Sequence, residues 1–319
     1  MIAMILIGLA AGAASALMFA SIVSGALISL LLFYLTPLPL MVAALGWGPL
    51  SALIGGIAAS LATGAMFGLP HCIAFAVAIA LPGWWLGYLV LLGRPPTNDA
   101  RDGAAADAPE LEWYPLGRIL LWIAAFATLT TFATLLTFGT ETTTITATMA
   151  RGLVELFSGI GAKVDDRVIE AVIAIIPICS VVGAFTVLTL NLWLAAKITA
   201  TSGRLRRPWP DLRSAALPSM TLVALCVAVA LCFTGGLTAL LAKIITSALM
   251  MAYAFTGFAV LHTLTLALRS RVFWLGSTYA IVVLFVWPLL AVVALGVADA
   301  VFGLRVRFLR SQPPPLLTP

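Results

Sequence analysis

Three polar side chains stand inside long apolar stretches of this 319-residue sequence, namely Asn191, Lys243 and Asp299. An acid and an amine at membrane depth could pass a proton or a cation, and each such charge costs about 2.5 to 3.5 kcal/mol to insert. A relay needs a chain of charged groups, which the sequence does not supply. The alternative is that Lys243 extends to the lipid headgroups and Asp299 caps a helix end. Asn191 is expected to bond to a neighbouring helix, with ligand binding as the alternative.

Residues typical of catalysis or of metal sites are scarce. His71 and His262 are the only histidines, and neither forms a helical pair with an acid, whereas a metal site needs three or four converging ligands. The four cysteines have no paired spacing and are expected to be small core residues. The sequence contains no Gly-x-Ser-x-Gly elbow and no Walker-type loop. We therefore predict no enzyme activity, no cofactor and no metal.

The composition indicates that the bilayer is the solvent of this chain. Hydrophobic residues make up 62% and charged residues 9%, with a mean hydropathy of +1.14, whereas soluble domains carry about 25% charged residues. A nucleic-acid partner would need a soluble basic face, so the lipid bilayer is the expected partner and nucleic acid is not. The fold class predicted is all-α, a polytopic transmembrane helical bundle.

Apolar runs of about 20 residues, the length that crosses a membrane, recur along the whole chain. They predict eight to ten helices, with nine as the best count, and the first run is expected to be a retained helix rather than a signal peptide. In the last run, Pro288 either kinks one long helix or divides it into two passes; we expect one kinked helix, because two passes would be short. The expected crossings are 3–21, 24–45, 49–68, 71–92, 116–138, 168–197, 215–234, 239–267 and 274–302.

Polar breaks divide the chain into regions. The segment around Arg151 and Glu155, which are one helical turn apart, is expected to be an amphipathic helix at the outer surface. The most hydrophilic segment lacks enough apolar residues to fold and is expected to be a flexible cytoplasmic linker. The regions are a four-helix front half at 1–93, the linker at 94–114, a five-helix part at 115–304 with the amphipathic segment 140–160 and a basic loop 198–214, and a Pro-rich tail at 305–319.

Basic residues between two helices set the predicted orientation, because Lys and Arg are retained in the cytoplasm. This rule places the N-terminus and the linker in the cytoplasm and residues 139–167 outside. With nine crossings, Arg305, Arg307 and Arg310 lie outside, against the rule. The topology-setting residues of the basic loop are Arg204, Arg206, Arg207 and Arg213.

Small residues recur at every fourth position in two helices. In lipid, helices associate by close backbone approach at such positions, either within one chain or with a partner. The sequence therefore predicts two helix-packing or partner faces. The first contains Gly8, Gly12, Ala16 and Ala20, and the second contains Gly56, Ser60, Gly64 and Gly68.

Several short strings resemble the YybS-like family of predicted bacterial membrane proteins. They are Pro37-Leu38-Pro39-Leu40, Gly46-Trp47-Gly48-Pro49-Leu50, Gly55-Gly56, Leu81-Pro82-Gly83, Asn191-Leu192-Trp193, Ser202-Gly203-Arg204-Leu205 and Gly296-x-x-Asp299 before Arg305. The front half is also similar to the S components of energy-coupling-factor transporters, bundles that bind a vitamin or metal ion and work with a transmembrane coupling subunit and two ATPases. That resemblance implies such a partner at Gly8, Gly12, Ala16 and Ala20, and it supplies no ligand-binding residues.

Two functions follow as hypotheses for a multi-pass protein of the bacterial inner membrane. The first is a substrate-binding or permease-like transport subunit without its own ATPase, whose small-molecule ligand the sequence does not identify. The second is a non-transporting scaffold or envelope-assembly protein, favoured by the scarcity of polar groups that a solute path would need.

Overall fold

The computed structural model describes residues 1–95, 111–159, 161 and 165–310. Residues 96–110 of the predicted linker and residues 311–319 of the predicted tail lie outside this part. Almost all of the regular structure is helical, with one two-residue antiparallel ladder, β1 Gly93–Arg94 and β2 Glu112–Trp113. The predicted fold class, a polytopic helical membrane bundle, is confirmed.

The helices follow the apolar runs of the sequence. In the described part of the chain, seven helices are long and apolar enough to cross a membrane, or eight if the last two, which meet at 69°, form one span. In chain order the helices are α1 Ile2–Ala20, α2 Leu27–Tyr34, α3 Leu38–Trp47, α4 Pro49–Phe67, α5 Leu69–Phe75, α6 Leu81–Val90, α7 Leu116–Leu136, α8 Thr142–Gly159, α9 Asp166–Thr201, α10 Met220–Leu231, α11 Gly236–Leu264, α12 Arg271–Phe285, α13 Leu289–Phe302 and α14 Leu304–Arg310.

Glycine and proline set the tight turn between α3 and α4. Gly48 ends α3 with φ +104°, a value that side chains disfavour, and Pro49 begins α4 at a position where its missing N–H costs nothing. Gly68, at φ +91°, divides α4 from α5 in the same way. The chain thus reverses direction with very few polar residues.

The count of long helices differs from the nine predicted crossings at two places. The run 215–234 forms only the 12-residue α10. The run 274–302 breaks at Val286, which has φ +52°, and at Pro288, so the expected single kinked helix is wrong. Proline lacks the N–H of a helical bond and disfavours helical geometry in the residue before it, which explains the break.

The chain divides into two compact units. Unit 1 contains the described parts of 1–115, 125–130 and 183–210, and unit 2 contains 116–124, 131–182 and the described residues from 211 onward. In unit 1, α1 lies along α4, with Gly8 against Ser51 and Gly12 against Gly55. Residue numbers rise together along this contact, so α1 and α4 run in the same direction.

In unit 2, α11 and α13 also run in the same direction. Leu289, near the start of α13, packs against the buried cluster that contains Leu249, whereas Gly303 after its end lines the same cavity as Thr263. Since α12 connects these two helices, it must return between them. The α12–α13 break is therefore a reversal of the chain and not a bend in one span.

This reversal changes the predicted position of the C-terminal arginines. The Arg305 guanidinium donates hydrogen bonds to the carbonyl oxygens of Arg213 and Ala215. Arg305 consequently lies beside residues 213–215, at the end of unit 2 where α11 and α13 end. The outside position of Arg305 followed from counting 274–302 as one crossing, and the break at Val286 and Pro288 removes that premise.

Candidate functional site

The candidate site is a cavity of about 560 Å³ in unit 2, where α11 and α13 end beside residues 211–217. Its volume falls in the range of small-molecule sites, roughly 300 to 1,000 Å³. Charged residues border it, and apolar side chains supply much of the remaining wall. The charged residues are Asp211, Arg213, Asp299 and Arg305, and the larger apolar ones are Leu217, Leu266, Val306 and Leu309.

Asp299 and Arg305 form a buried ion pair at this cavity. Their Oδ2 and Nη2 atoms lie 2.7 Å apart, and Asp299 is only 8% exposed. The other carboxylate oxygen accepts the backbone N–H of Arg305 at 2.9 Å, which caps the start of α14. Gly303 makes this possible because its positive φ, +62°, turns the chain back after α13.

This arrangement bears on whether Lys243 and Asp299 form a proton or cation relay or have separate local roles. Asp299 caps the start of a helix, as the alternative to a relay predicted, and its ion-pair partner is Arg305. Lys243 is exposed on α11 and does not line the cavity, and no ion pair to it occurs within the described residues. A relay between Lys243 and Asp299 finds no support in this geometry.

A second ion pair stands on the polar rim of the cavity. Nε of Arg213 lies 3.0 Å from Oδ1 of Asp211, and the backbone N–H of Arg213 donates to the same oxygen. These bonds, the side-chain one first, hold the pKa of the Asp211 carboxyl below its ordinary value. Both side chains are about half exposed, so this pair is open to water and to a ligand.

Two glycines bring α11 and α13 together where they cross, and one of them, Gly296, lines the cavity. A Cβ on Gly296 would collide with the backbone carbonyl of Tyr253, and a Cβ on Gly257 would collide with that of Val292. Tyr253 also lines the cavity and is 1% exposed. Its hydroxyl has no hydrogen-bond partner within the described residues.

The first predicted small-residue face packs inside the chain. Gly8, Gly12 and Ala16 are buried on α1, and a Cβ on Gly12 would collide with the backbone of Gly55 on α4. Ala20 is half-buried. The helix-packing interpretation therefore accounts for this face.

The second small-residue face lies on α4 against the helices that follow it. A Cβ on Gly56 would lie 3.0 Å from Ala80, and one on Gly64 would lie 2.8 Å from the Cys72 side chain. The Ser60 hydroxyl donates to the Gly56 carbonyl at 2.7 Å. Gly68 has a different role, because it makes the turn after α4.

Asn191 bonds to a neighbouring helix, as predicted. Its Nδ2 donates to the carbonyl oxygen of Tyr34, which ends α2, at 2.9 Å and to that of Val187 at 2.8 Å. The residue is 1% exposed, and its Oδ1 has no partner within the described residues. It does not border either of the two cavities described in this structure.

The basic loop meets aromatic rings in unit 1. The Arg204 guanidinium lies 4.5 Å from the ring centre of Trp47, and that of Arg207 lies 5.9 Å from that of Trp113. Arg206 is exposed. Arg213 alone among the four predicted residues belongs to the cavity of unit 2.

Neither histidine joins a metal cluster within the described residues, where no group of three or more potential ligands occurs. Nε2 of His262 lies 2.8 Å from the Tyr279 hydroxyl, and Nδ1 of His71 lies 2.9 Å from the Phe67 carbonyl oxygen. Each ring thus has a local partner.

Sequence reasoning missed Gly257, the packing role of Gly296 and the pairing of Arg305 with Asp299. Neither Gly257 nor Gly296 belongs to a repeat of small residues over several turns like those of α1 and α4, so the sequence did not indicate that they pack helices. The string Asp299, Gly303 and Arg305 did contain a signal, since an acid before a glycine stop and an arginine is a capping pattern.

Comparison with known proteins gives one match. A protein family described as Predicted membrane protein (DUF2232) matches residues 13–300. No curated protein and no solved structure matches this chain.

Proposed function

Because this chain belongs to the DUF2232 family of predicted membrane proteins, we propose that it is a non-enzymatic, ligand-binding subunit of a transport system in the bacterial inner membrane. The single observation that carries this proposal is the cavity of about 560 Å³ in unit 2. An apolar wall with a few charged groups at its rim is the usual construction of a small-molecule site.

The charges of the cavity favour a small amphiphilic ligand. Asp299 and Arg305 neutralise each other and are buried, so they shape the wall. The Asp211–Arg213 pair is accessible. The guanidinium N–H groups of Arg213 that do not contact Asp211 can donate hydrogen bonds to a ligand, and the second carboxylate oxygen of Asp211 can accept one. We infer that the polar end of a ligand binds at this pair and its apolar part lies along Leu217 and Leu266.

The similarity to YybS-like proteins and to S components remains part of this proposal, since it predicts a coupling subunit with ATPases. The contacts of α1 constrain where that partner binds. Gly8 and Gly12 are covered by α4 in the same chain, so they are not a free docking face. A coupling subunit would have to use lipid-facing side chains of unit 1, such as Leu6 and Leu17 on α1.

The scaffold function is the second candidate. It is favoured by the internal neutralisation of Asp299, because the acid of α13 is paired with Arg305 and is not free to bind a solute. A scaffold needs partners but no retained small molecule. The two functions therefore differ in what co-purifies with the protein.

The test is mass spectrometry of the protein extracted gently with its native lipids. The variant Ala300→Trp fills the cavity from an exposed position on α13, and Ala294→Trp is the matched control, exposed on the same helix but outside the cavity. A small molecule that is retained by the wild type and the control and lost from Ala300→Trp supports the proposal. An empty wild-type cavity with only envelope proteins bound overturns it in favour of the scaffold.

A further inference from the structure

One end of unit 1 carries four cations and two exposed or half-exposed tryptophans. We call it the basic-aromatic face, formed by Trp47, Lys197, Arg204, Arg206, Arg207 and Trp209. It lies where α3, α6 and α9 end, since Trp47 is the last residue of α3 and the loop after α9 supplies the arginines. It shares no residue with the cavity of unit 2.

The positive charge of this face is not neutralised within the described residues. The segment 197–210 contains four basic residues and no acid. Glu112 stands next to Trp113, the ring that lies beside Arg207, but it is already bound to Arg94 at 2.7 Å. This bond holds the pKa of Glu112 below its ordinary value. Asp211 is bound to Arg213.

Arg207 is the buried member of the face. It is 7% exposed, and Nη1 donates to the carbonyl oxygen of Val90, the last residue of α6, at 3.3 Å. No carboxylate contacts it within the described residues, and burial lowers the pKa of its guanidinium. A buried charge without an opposite charge is unfavourable, and an anion from outside the chain would relieve it.

Two of the remaining cations, Arg204 and Lys197, lie over aromatic rings. Arg204 lies 4.5 Å from the ring centre of Trp47, and Nζ of Lys197 lies 5.1 Å from that of Trp209. Tryptophan at a helix end marks the depth of the lipid headgroups. Cations held at that depth face the phosphate layer of the bilayer and not the aqueous bulk.

We propose that the basic-aromatic face is a binding site for the phosphate of an anionic phospholipid. Guanidinium groups bind phosphate oxygens in pairs, and Arg204, Arg206 and Arg207 are consecutive members of one short loop. The tryptophan rings contact the glycerol and the upper acyl chain. A lipid is the source of the phosphate because the site opens at the ends of membrane-spanning helices, where anionic lipids are concentrated.

The test is lipid retention in nanodiscs that contain equal amounts of phosphatidylglycerol and phosphatidylcholine. The double variant Arg204→Gln with Arg206→Gln changes only exposed side chains, which keeps folding intact, and Arg307→Gln removes an exposed cation from unit 2 as the matched control. We expect the wild type and the control to retain phosphatidylglycerol preferentially, and the double variant to lose about tenfold or more of that preference. Equal retention of both lipids by the wild type, or an unchanged double variant, would overturn the proposal.

A second arm separates the lipid from a soluble anion. Inorganic phosphate is added to the detergent-solubilised protein, and its binding is measured beside that of short-chain phosphatidylglycerol. Binding of the lipid but not of inorganic phosphate supports the assignment, whereas equal binding of both would show a site for soluble anions and overturn it. Arg207→Lys keeps the charge and removes the paired N–H geometry, so weaker lipid retention in this variant further supports phosphate recognition by Arg207.

Discussion

Two pairs of helices with glycine contacts organise the two units, and they are built differently. In unit 1, α1 meets α4 along a seam in which Gly8, Gly12 and Ala16 succeed one another at every fourth position. In unit 2, α11 meets α13 at one crossing made by Gly257 and Gly296. Both pairs join helices that run in the same direction, with a returning segment between them.

The difference shows that close helix approach has two origins in sequence. A seam needs small residues over several turns, and the repeat is visible in the sequence. A crossing needs only one small residue on each helix, while large side chains such as Leu249 and Val293 pack beside it. In the seam, close contacts between the helices extend over several turns. At the crossing they are limited to one point, and the cavity lies next to it.

The largest effect is expected for Gly12→Leu in the seam. A side chain there would collide with the Gly55 backbone and force α1 and α4 apart over their whole contact, so we expect a loss of more than about 3 kcal/mol. Thermal unfolding in detergent measures it. The control is Gly183→Leu, a glycine of α9 with open space around it, and equal stability of the two variants would contradict the seam.

A smaller loss, about 2 to 3 kcal/mol, is expected for Gly296→Leu at the crossing. The new side chain would collide with the Tyr253 carbonyl, but the packing of Val293 and Leu289 on either side would be partly retained. Gly276→Leu on α12, where nothing lies within 4 Å, is the control. A larger loss for Gly296→Leu than for Gly12→Leu would reverse the comparison of the two pairs.

Removal of the buried charge in Asp299→Asn is expected to cost about 2 kcal/mol, because the amide retains one acceptor for Arg305. A double-mutant cycle with Arg305→Gln isolates the energy of the pair. Additive losses in the cycle would show that the ion pair does not hold α14 against α13.

The smallest effect is expected for Asp211→Asn on the exposed rim, under about 1 kcal/mol. Arg213 lowers the pKa of Asp211 in the folded protein, so its contribution is present above the unfolded pKa and is lost as the pH falls through the folded value. The stability difference between wild type and variant should be constant well above the unfolded pKa of about 3.9 and should shrink as the pH falls through the lower folded value. A difference that grows on acidification would contradict this assignment.

The sequence predicted those features that depend on composition and repeat. The helical fold, six crossings from α1 to α9, the packing of Gly8 and Gly12 and the cross-helix bond of Asn191 all follow from apolar length, spacing and the need of a buried amide for a partner. The partner itself, the carbonyl of Tyr34, is 157 residues away and no local pattern indicates it.

The predictions that failed concern features that depend on backbone geometry. Hydropathy does not distinguish a continuous helix from one that reverses at Val286 and Pro288, because both are equally apolar. The partner of Asp299 depends on the turn at Gly303, and the cavity exists only because α11, α13 and residues 211–217 meet. The candidate site therefore could not be predicted, although Asp299 and Arg213 were singled out separately.

The short helices of unit 2 have a consequence for the lipid around them. At a rise of about 1.5 Å per residue, the 15 residues of α12 and the 14 of α13 measure roughly 22 and 21 Å, against a hydrocarbon core of about 30 Å. No residue of α12 is buried and ten of its 15 residues are exposed, so acyl chains contact most of this helix. We therefore expect either a thinner bilayer beside α12 or flanking side chains that extend to the headgroups, and both favour a membrane of lower thickness around this protein.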